Sequence, residues 1–306
     1  MDRERPLMEH LQELRGRLFK IAIAVGIITV LAITFSIQIY DINGYQIPLP
    51  YPDPLNNVAI QLMSLMQEDL LPPNVRLVQL APGQAFFAAI YISVLLGVIF
   101  GMPVIVKELT AFIFPGLQAR EKAMIKKITL PAVALFAAGC LFSYFVVIPY
   151  ILAFLYQFGE SIGVATFLNI TEFVSFVMQF LVAFGLSYQL PIVMWAVTLS
   201  GMVEPKFWRN NIRYAIVIIA VFGAVITPDG SGVTMWFVAG PMLALYLVAM
   251  ILVERKLKEI PKTSSDNVSE ADRDKLRESR SPSTDYGMSE KESKTHIEER
   301  EQEKSK

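Results

Sequence analysis

The chain has 306 residues, of which 54% are hydrophobic and 18% are charged. A soluble domain of this size needs more polar surface than that composition provides, so the sequence predicts a membrane protein. The formal net charge of -1 conceals an uneven distribution, because residues 254–306 hold 13 of the 27 Lys and Arg and 14 of the 28 Asp and Glu.

The chain opens with an amphipathic segment and continues into six apolar runs. Leucines recur at helical spacing within residues 5–17, which predicts a surface helix in a cytoplasmic region 1–17. A run of about 20 residues crosses a hydrocarbon core of roughly 30 Å. The fifth run has only 15 residues and reaches about 22 Å as a helix. The transmembrane domain, residues 18–253, therefore contains six predicted spans: 18–39, 85–106, 128–155, 173–199, 213–227 and 232–252.

Two segments outside the spans differ in composition from the rest of the chain. Residues 40–84 carry seven prolines, which fix the backbone and predict a rigid external cap, with a short helix between Asn56 and Leu71. Residues 254–306 mix charges with Ser and Glu and lack apolar periodicity. Such a segment cannot bury a core, so we expect a disordered, solvated cytoplasmic tail.

The distribution of basic residues predicts the orientation. Thirteen of the 14 Lys and Arg in residues 1–253 fall in the N-terminus, the 107–127 loop and the 200–213 loop, and Arg76 alone falls on the other side. These are alternate loops of a six-span chain, and positive loops stay in the cytoplasm. The sequence therefore predicts a multi-pass protein of a prokaryotic plasma membrane with both termini in the cytoplasm.

Several enzyme classes lack their essential residues in this sequence. The phosphate-binding pattern G-x-x-x-x-G-K-[ST] is absent, and neither His10 nor His296 lies in a span, where a membrane serine hydrolase would need its base. The single cysteine, Cys140, is interpreted as a packing residue, so no disulfide framework, metal site or cofactor is expected. We therefore predict a protein without enzymatic activity and without a nucleic-acid partner.

A secondary transporter of small solutes and a structural membrane scaffold both remain alternatives. A proton- or ion-coupled carrier normally places ionisable groups inside its spans, and here those spans contain almost none. The cytoplasmic face instead carries acids among its bases, at Glu9, Glu13, Glu108 and Glu121. A carboxylate there suits a guanidinium, although a Glu13–Arg17 pair on a solvated helix face, worth about 0.3–0.5 kcal/mol, explains part of the pattern equally well.

The motifs of this sequence resemble those of the TatC family, the multispanning receptor subunits of the twin-arginine translocase. The string from His10 to Leu18, HLQELRGRL, is similar to the H-L-x-E-L-R-x-R-L opening of that family. Phe112 to Glu121, FIFPGLQARE, is similar to its first cytoplasmic loop. Further matches follow in order along the third and fourth spans and the turn after the fifth: Phe136, Gly139, Phe142, Tyr144-Phe145, Pro149, Phe184-Gly185, Pro191 and Thr227-Pro228-Asp229.

The resemblance implies an all-α polytopic fold, a concave, glove-like bundle with short fifth and sixth helices. It implies that the chain binds paired-arginine signal peptides and helps export folded proteins with the proton-motive force. The partners that it implies are small single-span subunits of the TatA and TatB type, the bilayer and further copies of the chain. By position, Glu13 and Glu121 would receive the two arginines and Phe112 would shape the patch. The supporting residues would be Arg15, Arg17, Pro115 and Leu117.

Two positions concern steps after peptide binding. Where the family commonly has a glutamate in the fourth span, this chain has Gln189, which forms hydrogen bonds but carries no charge. We expect Gln189 to contact a polar residue of a partner helix. Asp229, in the turn after the fifth span, is expected to serve transport and not peptide binding.

Overall fold

The computed structural model describes residues 7–42, 45–72, 75–113, 122–163, 167–199, 203–227 and 232–258. Most of them are helical, and four short strands lie between the helices. A π-helical turn at Ser143–Val147 joins two of the helices. The helices are α1 (Leu7–Thr34), α2 (Val58–Leu70), α3 (Gln84–Ile113), α4 (Lys122–Phe142), α5 (Ile148–Ser161), α6 (Ile170–Ser187), α7 (Leu190–Leu199), α8 (Phe207–Asn210), α9 (Ile212–Ile226) and α10 (Gly232–Lys258), and the strands are β1 (Phe35–Ile42), β2 (Tyr45–Pro52), β3 (Arg76–Val78) and β4 (Phe167–Asn169).

Every predicted apolar run corresponds to a helical segment. Five segments are long and apolar enough to cross a membrane, and α9 is a shorter apolar helix of 15 residues, as the sequence predicts. The expectation of a short sixth helix is wrong, because α10 has 27 residues. Its apolar run continues to Val253, and the good helix formers that follow extend the helix past the run. The first residues of the predicted tail, 254–258, therefore belong to α10.

The first helix differs from its prediction at both ends. The surface helix and the first span are one continuous helix, α1, which includes the boundary expected at residue 17. The helix ends at Thr34 instead of residue 39, because Phe35 begins a strand. The amide N–H of Asp53 donates to the Thr34 carbonyl oxygen at 3.1 Å, so the chain returns to the end of α1 after the second strand.

Strands β1 and β2 form an antiparallel hairpin within the predicted cap. Ile37 lies opposite Pro50, and its backbone polar groups point away from β2. Its N–H donates to Gln61 Oε1 at 3.4 Å, and its carbonyl oxygen accepts from Gln61 Nε2 at 3.2 Å. Along an antiparallel ladder, pairs whose backbone groups bond to each other alternate with pairs whose groups point outward. The prolines of β2, Pro48, Pro50 and Pro52, all occupy the outward-facing positions, where a strand residue needs no ladder donor.

The rest of the cap is held by one helix and one small sheet. Helix α2 forms within the predicted segment, and the Asn57 side chain caps it by accepting from the Ile60 amide at 3.0 Å. Tyr144 donates to the Asp69 carboxylate at 2.8 Å, which ties α2 to the π-helical turn. Strand β3 pairs in parallel with β4, so the segment before α3 meets the segment before α6.

Glycines set the packing of α1 on α3. An added Cβ at Gly97 would lie 2.8 Å from the Val25 carbonyl oxygen, and one at Gly101 would lie 3.2 Å from the Val25 side chain. Small residues of this kind let membrane helices approach closely. Arg17 pairs with Glu108 further along the same contact. Residues early in α1 therefore contact residues late in α3, which means that the two helices are antiparallel.

Helices α4 and α6 cross equally closely around a core of buried phenylalanines. An added Cβ at Gly139 would lie 2.6 Å from the Phe184 carbonyl oxygen, and one at Gly185 would lie 2.7 Å from the Phe136 ring. Phe136 of α4 and Phe180 and Phe184 of α6 are fully buried. The fourth span is interrupted after Ser187, so that Tyr188 and Gln189 form a turn before α7. The following proline, Pro191, accounts for the break.

These contacts place four helix ends at one end of the bundle. Thr171 at the start of α6 donates to the carbonyl oxygen of Gln84 at the start of α3, so α6 and α3 point the same way. The end of α7 therefore lies at the level of Glu108. Trp208 then joins Thr198 of α7 to Tyr246 of α10 through bonds of 2.9 and 2.8 Å. We name this the charged end; among the described residues it comprises 7–20, 105–113, 198–199, 203–213 and 246–258.

Candidate functional site

Helix α1 presents Glu13 and Arg17 one turn apart at the charged end. Residues four positions apart lie on the same face of a helix, so the two side chains meet without any change of backbone. Arg17 donates through Nε and Nη2 to Glu13 Oε1, at 3.2 and 2.6 Å. The sequence predicts this pair, and the structure contains it.

Helix α3 adds a second carboxylate to the same arginine. Arg17 Nη1 donates to Glu108 Oε2 at 3.3 Å, so one guanidinium bridges two acids that are 95 residues apart in the sequence. The side chains are 25% exposed for Glu13, 22% for Arg17 and 10% for Glu108. Glu108 is therefore the deeper acid and Glu13 the one nearer to solvent.

The remaining predicted residues of the patch are only partly described. Arg15 is exposed, and Phe112 lies half-buried in the last turn of α3, one helical turn beyond Glu108. Glu121, Pro115 and Leu117 lie outside the described residues, and so does Asp229. The structure thus brings together Glu13, Arg17 and, by its place on α3, Phe112.

Gln189 is engaged within the chain. Its Nε2 donates to the Ala132 carbonyl oxygen of α4 at 2.9 Å. The turn at Tyr188 and Gln189 turns this amide toward α4, and the bond crosses between two spans. A glutamate at this position could make the same contact only in its protonated form, because an ionised carboxylate has no donor.

A second ion pair at the charged end is absent from the sequence prediction. Arg209 of α8 contacts Glu254 Oε2 at 2.6 Å, with side-chain exposures of 63% and 10%. The other oxygen, Oε1, is buried without a hydrogen-bond partner. Trp208 and Arg209 thus bind the short α8 to the end of α10. One sequence signal could have indicated this ion pair. Glu254 directly follows an apolar run, although the prediction assigns it to a solvated tail.

The chemistry available here is recognition of cations. Glu13, Arg17 and Glu108 together carry two negative charges and one positive charge, so this group of three has a net charge of -1. A guanidinium forms charge-assisted bonds to carboxylates in a planar, directional geometry. Glu13, the more exposed acid, is the one that a ligand from solution can reach.

The sequence is similar to proteins of one family along most of its length. A family model described as Sec-independent protein translocase protein (TatC) matches residues 9–241. The Sec-independent protein translocase protein TatC of Cenarchaeum symbiosum is 54% identical over 248 residues, which cover 81% of this chain and 94% of that relative. The protein of the same name from Aquifex aeolicus is 35% identical over 261 residues, which cover 84% of this chain and 99% of the relative.

The fold is similar to that of a solved structure as well. The structure described as "Crystal Structure of Twin Arginine Translocase Receptor- TatC" matches with a TM-score of 0.65 and 30% sequence identity. The match covers 80% of this chain and 98% of the solved chain. The helical membrane fold predicted from the sequence is therefore also the fold of that receptor.

Proposed function

The chain belongs to the TatC family of Sec-independent protein translocase proteins, and on this basis we propose that it is the receptor subunit of a twin-arginine translocase. The family is one of transport proteins and not of catalytic enzymes. In the proposed role the chain binds paired-arginine signal peptides at the charged end and helps export folded proteins with the proton-motive force.

The observation that supports this proposal most is the guanidinium on Glu13. Arg17 donates two N–H groups to one oxygen of that carboxylate, at 2.6 and 3.2 Å. An arginine of a signal peptide presents the same planar donor group. Glu13 is also exposed enough to be reached from solution.

The proposed site joins α1 to the loop after α3. Glu13 and Glu121 each receive one arginine of the pair, and Phe112 contacts the apolar part of the peptide. The remaining patch residues, Arg15, Arg17, Pro115 and Leu117, shape the surface around them. A partly desolvated setting strengthens such ion pairs relative to water.

The proposed topology has six spans with both termini in the cytoplasm of a prokaryote. Thirteen of the 14 basic residues before residue 254 lie in alternate loops, and seven of these thirteen belong to the charged end: Arg15, Arg17, Lys20, Lys107, Lys206, Arg209 and Arg213. The proposed arrangement is the glove-like bundle that the resemblance implies, with residues 40–84 as an external cap and residues 259–306 as a cytoplasmic tail.

Peptide binding tests the receptor role. We expect Glu121→Ala to weaken binding of a labelled twin-arginine peptide much more than binding of its twin-lysine analogue, because only the guanidinium fits a carboxylate in bidentate geometry. Glu204→Ala removes an exposed acid from the same end of the bundle and serves as the matched control. Equal losses for both peptides, or an equal loss in the control, would contradict the proposed role of Glu121.

The proposed partners are small single-span subunits of the TatA and TatB type, together with further copies of the chain. The bond to Ala132 uses one N–H of Gln189, and the amide has a second N–H and an oxygen. We propose that these contact a polar residue of a partner helix. Photocrosslinking from position 189 in membranes should capture a small single-span protein; capture of lipid alone would count against the contact.

Asp229 and the whole assembly are tested by export. Asp229→Ala is expected to impair transport and to spare peptide binding, and loss of both would indicate misfolding instead. The chain should restore export of a folded, twin-arginine-tagged reporter in cells that lack their own receptor subunit. Uptake of small solutes into proteoliposomes would support the alternative of a secondary transporter, which the family match does not favour.

A further inference from the structure

Arg17 donates to the carboxylate of Glu13, which in the proposed function binds an arginine of the peptide. It makes its two shortest contacts with Glu13 and one longer contact, 3.3 Å, with Glu108. The incoming arginine and Arg17 carry the same chemical group, so they compete for the same carboxylate. A binding-competent state then requires Arg17 to leave Glu13.

Glu108 provides the place to which Arg17 moves. Its side chain is only 10% exposed, and it already accepts one N–H of the same guanidinium. Arg17 reaches both acids from one backbone position, so a change of side-chain rotamer is enough to shift it. Neither a buried carboxylate nor a buried guanidinium is left unpaired by such a shift, which avoids the large cost of isolated buried charge.

We propose that Arg17 is an internal competitor of the signal peptide, and that Glu108 is the positioning residue that holds Arg17 when a peptide arginine takes its place on Glu13. This inference rests on the proposed function and adds a device that lowers peptide affinity. Without peptide, Glu13 and Glu108 both accept from the guanidinium of Arg17. With peptide bound, Arg17 stays on Glu108 and a peptide arginine takes its place on Glu13.

The competition has a definite thermodynamic consequence. A ligand that binds only a fraction of the receptor population has its apparent dissociation constant raised by the reciprocal of that fraction. The factor is the same for every ligand of Glu13, so Arg17 lowers the affinity for twin-arginine and twin-lysine peptides alike. Removal of the competitor should therefore tighten both peptides by a common factor and leave their ratio unchanged.

The double variant Arg17→Gln/Glu108→Gln tests this directly. It removes the competitor and its alternative partner together, and its net charge equals that of the wild type, so long-range attraction of the cationic peptide is unchanged. We expect the dissociation constant of a fluorescent twin-arginine peptide, measured with the full chain in nanodiscs, to fall about two- to tenfold. The single variant Glu108→Gln should weaken binding, because Arg17 then remains on Glu13.

A conservative variant distinguishes removal of the competitor from a general loss of structure. Arg17→Lys keeps the charge and can still pair with Glu108, but an ammonium holds Glu13 less firmly than a guanidinium does. It should tighten binding about twofold, by the same factor for both peptides. If the double variant and Arg17→Lys bind as the wild type does or more weakly, the pair is structural and the competitor role is wrong.

A separate control distinguishes failure of this inference from failure of the proposed function. Glu13→Gln should abolish most twin-arginine binding in both the wild-type and the double-variant background. Unchanged binding in Glu13→Gln would refute Glu13 as the receptor carboxylate. Loss of binding in Glu13→Gln, together with no gain in the double variant, would refute only the competition.

Discussion

The packing of α4 on α6 predicts opposite effects for two glycine-to-alanine substitutions. At Gly139 an added Cβ would lie 2.6 Å from the Phe184 carbonyl oxygen and 2.9 Å from the Tyr188 ring. The carbonyl belongs to the backbone of α6, so the helices must separate by several tenths of an ångström. Overpacking of this kind costs about 1–3 kcal/mol. Gly26, in the middle of α1, has no atom within 4 Å of the added Cβ among the atoms that the structure describes.

Both positions lie inside helices, where alanine is more favourable than glycine. Each substitution should therefore stabilise its helix by the same amount, about 0.5–1 kcal/mol. The difference between Gly139→Ala and Gly26→Ala therefore isolates the overpacking and should be about 1–3 kcal/mol. At about 2–4 °C for each kcal/mol in a chain of this size, Gly139→Ala should melt several degrees below Gly26→Ala. Thermal unfolding of the purified variants in detergent, followed by tryptophan fluorescence, measures it. Equal melting temperatures would refute the argument that contact with the α6 backbone requires Gly139.

Three further substitutions test contacts elsewhere in the bundle. Arg209→Gln should lower stability by about 1–2 kcal/mol, because the buried Glu254 carboxylate loses its partner; Arg213→Gln, at an exposed site, should have little effect, and adding Glu254→Gln should restore stability. Tyr144→Phe removes the bond to Asp69 and should speed hydrogen exchange in α2, while exchange in α6 stays unchanged. Gln189→Leu should cost about 0.6 kcal/mol in thermal unfolding, the average for hydrogen bonds between membrane helices, whereas Gln179→Leu at an exposed position of α6 should cost nothing.

The spans could be predicted from the sequence because their signal is local. Twenty apolar residues in a row form a helix in a bilayer almost regardless of their neighbours, since every backbone polar group must be satisfied within the segment. The short α9 is equally local, because the sequence contains only 15 apolar residues before Pro228. The Glu13–Arg17 pair also depends only on helical spacing.

The features that the sequence did not reveal depend on contacts between distant segments. Arg17 meets Glu108 only because glycines let α1 and α3 pack closely in antiparallel directions. Glu254 appears from composition to begin a solvated tail, yet it is buried, because α8 folds against the end of α10. The sequence predicts the first span to continue to residue 39, since Phe35–Ile39 is largely apolar and the strand with which it pairs lies further along the chain.

The hairpin of β1 and β2 combines exposed apolar side chains with strand edges that offer few hydrogen-bond donors. Tyr45 and Ile39 are more than half exposed and Tyr51 is 49% exposed, and an open strand edge beside such residues ordinarily recruits further strands. The three prolines leave the outer edge of β2 without N–H groups at alternate positions, and Gln61 covers part of the outer edge of β1. A third strand therefore finds few donors on either side. The exposed hairpin is therefore a poor template for the addition of strands from other chains.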